Sequence, residues 1–184
     1  MTKSIMQPAL KLSTILLLAL FSLFLQSCAE PADDFFGVAV LNTNTITDFG
    51  TPRLAKQIND ETTEFPDIPS SKKNGDEAMI RVQNNILYME KVLNDIKALS
   101  ANDDSRKVIK EQAIALYEFV IPVYKNEYTA YAKLCDAKAP QAQKDEIIAS
   151  IEQKYSARFE ALYTALLTNG KAFAEANHLN VDWN

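Results

Sequence analysis

One histidine, two cysteines and four glycines among 184 residues leave little material for the commonest kinds of protein chemistry. His178 alone cannot supply the paired Glu-x-x-His motifs of a di-iron bundle. With one internal thiol, it cannot supply the several Cys and His ligands of a zinc site either. Its expected place is on the surface or at a helix cap. No Cys-x-x-Cys-His occurs, which excludes covalent haem. Gly37, Gly50, Gly75 and Gly170 build neither a phosphate-cradling loop nor a Gly-x-Ser-x-Gly elbow, and Asp-x-Asp-x-Asp-Gly calcium loops are absent. Positive charge is scarce as well. Nineteen Lys and Arg face 24 Asp and Glu, for a net charge of −5. Nucleic-acid binding rests on neutralising phosphates with basic side chains, so this balance argues against it, and against a polybasic contact with anionic lipid. Finally, no apolar run reaches the roughly 20 residues needed to cross a bilayer. These shortages point away from an enzyme, a metal centre and a nucleic-acid partner.

What the sequence does have begins at its amino end. Lys3 and Lys11 precede the apolar stretch LSTILLLALFSLFL, Leu12 to Leu25, and polar residues follow at once. A basic flank, a short apolar core and a small residue before a cut form the order of a cleaved secretory signal. Residues 1–27 are therefore expected to be removed. Their loss takes two lysines with it and leaves the remaining chain more acidic.

The residues at the cut are more specific. Leu25-Gln26-Ser27-Cys28 resembles the lipobox of bacterial lipoproteins, with Leu three positions before the cut, a small residue before it, and the Cys itself. The resemblance implies that Cys28 carries a covalent acyl lipid as diacylglyceryl thioether and acylated amino terminus. Each buried methylene contributes about 0.8 kcal/mol and stable anchoring takes two signals, so three chains on one residue hold a protein at a membrane without a spanning helix. No other cofactor is expected. The implied location is the cell envelope, lipid-anchored in the outer membrane of a Gram-negative bacterium. Acidic residues just after the cysteine resemble a surface-export signal in some such lipoproteins, which favours the cell surface over the periplasmic face. With Cys28 acylated, Cys135 has no disulfide partner, and its apolar-periodic setting (YAKLCDA) makes it a small buried hydrophobe.

Residues 28–35 are expected to be an acidic, proline-containing tether, and residues 36–184 an all-α domain. Met79, Val82, Ile86, Met89, Leu93 and Ile96 are spaced 3, 4, 3, 4 and 3, one stripe of an amphipathic helix over 76–99. A second helix over 104–137 has two seams, Ile109, Ala113, Leu116, Val120 and Val123 on one, Tyr117, Tyr124, Tyr128, Tyr131 and Cys135 on the other. Two seams mean neighbours on two sides. Pro122 lies inside this helix, where it removes the bond to the Glu118 carbonyl and predicts a kink. Ile148, Ile151, Tyr155, Phe159, Leu162, Leu166 and Phe173 mark a third helix over 140–177, with Asn177 as a left-handed cap and Leu179 folding back. Before these, helices are expected over 36–48 and 52–63, split at Gly50-Thr51-Pro52, with 65–75 a loop. The sum is an antiparallel four-helix bundle with one proline-kinked member.

ALYEFVIPVYKNEYTAYAKL and KYSARFEALYTALLTNGKAFAEANHL resemble a family of small helical surface lipoproteins of uncharacterised function. FFGVAVLNTNTIT departs from that family's first helix. The resemblance implies fold and location and brings no active site. The functional expectation is a non-enzymatic domain acting through protein–protein contacts or as a structural surface component. The tyrosine seam carries the alternative. Tyr117, Tyr124, Tyr128 and Tyr131 either pack the core or line a groove between helices for an apolar or sugar-like ligand.

Overall fold

The computed structural model describes residues 30–183, and no strand occurs among them. The expected signal segment, Cys28 and Asn184 lie outside the described residues. Three long helical rods dominate. α3 spans Glu77–Ala98, α4 spans Asp104–Val123 and runs through a π-helical stretch, Tyr124–Tyr128, into α5, Thr129–Asp136, and α6 spans Gln141–Ala176. Their ends fall within two residues of the expected ones. Val82, Met89 and Ile96 of α3 are buried against α4, and Ile151, Phe159, Leu166 and Phe173 of α6 are buried on its other side. Each such side chain contributes about 1.5–3 kcal/mol by leaving water. Both seams of the central rod are buried, so it touches neighbours on two sides as its sequence predicts.

Where a kink is expected at Pro122, the α-helix continues through it to Val123 and the wide π turn follows directly. Pro122 offers no N–H to the Glu118 carbonyl, and two carbonyls at the π turn receive side-chain donors. Asn126 Nδ2 donates to Pro122 O at 2.9 Å, and Thr129 Oγ1 donates to Tyr124 O at 3.0 Å.

The N-terminal quarter corrects the sequence-based expectation most. The tether does not extend to residue 35. α1 begins at Ala32 and ends at Ala39, with Asp33 and Asp34 in its first turn, where the helix dipole favours anions. Phe35 and Phe36, 0% and 2% exposed, are core residues. Nor does a helix continue to 48. Leu41–Ile46 is a 3₁₀ segment, because its threonines bond their own backbone three residues back: Thr43 to Val40 O at 2.6 Å, Thr45 to Asn42 O at 2.8 Å and Thr47 to Asn44 O at 3.2 Å. α2, Pro52–Asp60, stops short of 63; Thr51 is its N-cap and Pro52 fills its first position. The N-terminal segment thus forms two short helices joined through a 3₁₀ segment. α1 packs on α3 and α4, and α2 on α3 and α5.

Two glycines make this packing possible. Gly50 has φ +74°, and a Cβ there would stand 2.5 Å from Ser156 Oγ. Gly170, inside α6, lets Val40 of the α1 end approach to 3.0 Å of where its Cβ would be. At the far end of α6 the left-handed residue is His178, φ 55°, and not Asn177, whose φ is −100°. Leu179 N–H bonds Ala174 O at 2.9 Å and His178 N–H bonds Glu175 O at 3.2 Å, a Schellman closure that turns the chain back. Trp183 then packs edge-on against Phe36, ring centroids 5.9 Å apart.

Candidate functional site

The four seam tyrosines pack in the core. Tyr117, Tyr124, Tyr128 and Tyr131 are all 3% exposed or less, because residues 35–58 cover the face that their spacing defines. Phe49 is the centre of this cover, with ring centroids 4.8 Å from Phe159, 6.0 Å from Tyr128, 6.1 Å from Phe119 and 6.4 Å from Tyr124. Tyr124 and Tyr128 lie 4.7 Å apart, one at each end of the π stretch.

Two hydroxyls of the seam act as fasteners. Tyr128 accepts the Gly50 N–H at 2.9 Å, and Tyr131 donates to Ala55 O at 3.1 Å. Together they pin the 47–51 turn and α2 to the central rod. Burial raises the Tyr128 pKa to about 12, with the Gly50 N–H offsetting part of the rise. Burial pushes Tyr124 and Tyr131 up as well. Tyr117 is different. Its hydroxyl is buried without a well-formed hydrogen bond, and burial raises its pKa above the ordinary value of 10, a loose contact with the Thr45 hydroxyl opposing the rise.

Of the four, Tyr131 borders a cleft of about 400 Å³ between α2 and the first half of α6. Several of the polar groups around it are paired locally. Lys56 pairs with Asp60, Gln141 donates to Asp145 at 2.7 Å, and Lys144 donates to Asn59 at 2.8 Å. Glu152 also lines the cleft.

Cys135 is 1% exposed, and burial pushes its thiol pKa up, which keeps it in the unreactive protonated form. His178 serves as the helix cap described above. Among the described residues no three His, Cys, Asp or Glu side chains are grouped as metal ligands, and no helix is long and apolar enough to cross a membrane. Cys28, the expected lipidation site, lies outside the described residues.

Two contacts had no sequence signal. Arg106 is 8% exposed and stacks its guanidinium 5.0 Å from the Phe35 ring and 5.7 Å from the Phe173 ring. The Asp136 carboxylate accepts the Ala78 and Met79 N–H groups at 2.9 and 3.0 Å, capping α3 from the end of α5. Both join segments distant in the chain, so no local pattern announces them.

The pole at which α6 ends and α4 begins also receives α1. There Trp183 remains 40% exposed beside Leu41, 41% exposed, over a cleft of about 330 Å³ shared with Val181 and Leu167. Comparison of the chain with protein-family models, with curated proteins and with solved structures finds no match.

Proposed function

We propose that this chain is a lipid-anchored helical domain of the cell envelope, acylated on Cys28, which works through protein–protein contacts or as a structural surface component. Its helices are read as a four-member antiparallel bundle in which α1 and α2 together take the fourth place. The observation that carries the reading is the order of basic flank, short apolar run and Leu25-Gln26-Ser27-Cys28. The residues that follow support it: three of them lead from Cys28 to the first residue of α1, enough for a tether and no more. The non-catalytic part rests on how the polar residues are used. Tyr128 and Tyr131 fasten the short helices, Cys135 is buried in the core, and several carboxylates cap helices or pair with lysines.

Growing cells fed an alkyne analogue of palmitate test the anchor. The wild-type protein is expected to carry the label and Cys28→Ala to carry none; an unlabelled wild type, or an equally labelled variant, refutes acylation at this residue. Protease added to intact cells reads the face. Digestion places the domain on the cell surface, and protection places it in the periplasm.

A further inference from the structure

Granting the anchor at Cys28, we infer that the domain makes a second, non-covalent contact with the membrane through Trp183, which lies in the headgroup region of the leaflet that holds the acyl chains. Chain length sets the first bound. Ala29, Glu30 and Pro31 separate Cys28 from Ala32, and four Cα steps span at most about 14 Å. Acyl chains in the hydrocarbon fix the cysteine at headgroup level, so the start of α1 stays within that distance of it. Phe36 lies one helical turn beyond Ala32, about 6 Å further along α1, and Trp183 packs on Phe36. The tryptophan is therefore held within about 26 Å of the cysteine, and a tether lying along the leaflet brings it to the interface.

The far pole lies further off. α6 has 36 residues and is about 54 Å long. Phe65 and Ile68, 56% and 51% exposed, belong to the loop beside Glu64, which meets Lys138 just before α6 starts. These more exposed side chains stand at the opposite end of the molecule, up to about 54 Å further from the tether, and meet lipid only if the rods lie flat on the leaflet.

Trp183 has the right chemistry for such a place. One edge is covered by Phe36 while 40% of the residue stays open, next to the exposed Leu41. An indole with an apolar body and an N–H donor is favoured at the boundary between headgroups and acyl chains. The charges nearby select the lipid. α1 and α4 both begin at this pole with acidic first turns, Asp33 and Asp34 on one and Asp104 on the other, so a zwitterionic leaflet suits it better than an anionic one.

The chain has one tryptophan, so the wild type carries its own reporter. The lipidated protein is purified from cells, incorporated into phosphatidylcholine vesicles, floated, and measured with lipids brominated high on the acyl chain. Trp183 emission is expected to shift to the blue and to be quenched. A second protein, Trp183→Phe with Phe65→Trp, is expected to float equally and to show neither effect. Floating protein with unquenched Trp183 overturns the contact and leaves the anchor standing. Equal quenching at both positions overturns it too, because the domain then has no fixed pole toward the lipid. Protein that does not float overturns the anchor and the contact together.

Discussion

The Asp136 carboxylate sits in the last turn of α5, where the carbonyl end of its own helix disfavours an anion. Its position makes sense only through α3, whose first N–H groups it receives on both oxygens. Asp136→Ala should cost about 1–2 kcal/mol in urea unfolding, the range of a lost helix cap. Among the tyrosines, the structure separates residues that the sequence presents as equivalent. Tyr128→Phe leaves the buried Gly50 N–H without an acceptor and should cost about 1–3 kcal/mol, whereas Tyr117→Phe removes a hydroxyl that has no good partner and should be neutral or stabilising. Equal losses for the two would refute this distinction. Spacing identifies the face on which a tyrosine lies, but what covers that face is a tertiary fact. Here the cover comes from Phe49 and its neighbours, some 70 residues away, so the seam itself was legible while its burial, one of the two readings it allows, was not.

Helix starts carry the acid sensitivity of the fold. The Asn74 N–H at 2.6 Å, with Gly75 N–H at 3.1 Å, holds the Glu77 carboxyl below its ordinary value of 4.5 at the start of α3. The Arg106 N–H at 2.8 Å and the Ser105 hydroxyl do the same for Asp103, whose ordinary value is 3.8, at the start of α4. A carboxyl depressed in the folded state stabilises above its unfolded pKa, and that contribution fades as pH falls through the folded value. The melting temperature should therefore fall as the pH drops below about 4, and Asp103→Asn should flatten that part of the profile. An unchanged profile in the variant would exclude Asp103 as a contributor. The long helices were readable because their apolar stripes repeat over five or more turns. α1 and the 3₁₀ segment were not, since eight and six residues hold too few repeats and their stability comes from packing on the rods.

At the level of the whole molecule, the sequence-based reading reached the three rods, their short connections and the buried seams. In the N-terminal covering segment it found the start of α2 at Pro52 and missed the start of α1 and its change to a 3₁₀ segment, because such short pieces carry few apolar repeats. Both ends of the described chain come together where Trp183 meets Phe36, while the loop between Phe65 and Gly75 lies at the other end, mostly exposed. Circular permutation follows as a practical consequence. A short glycine–serine linker from Trp183 to Ala32, with new ends opened between Lys72 and Lys73, would leave every helix intact, since exposed loop tips tolerate new termini. Such a rewired protein should keep the helical circular-dichroism spectrum and cooperative melting of the original. Loss of cooperativity would mean that the order in which the segments are joined matters to the core.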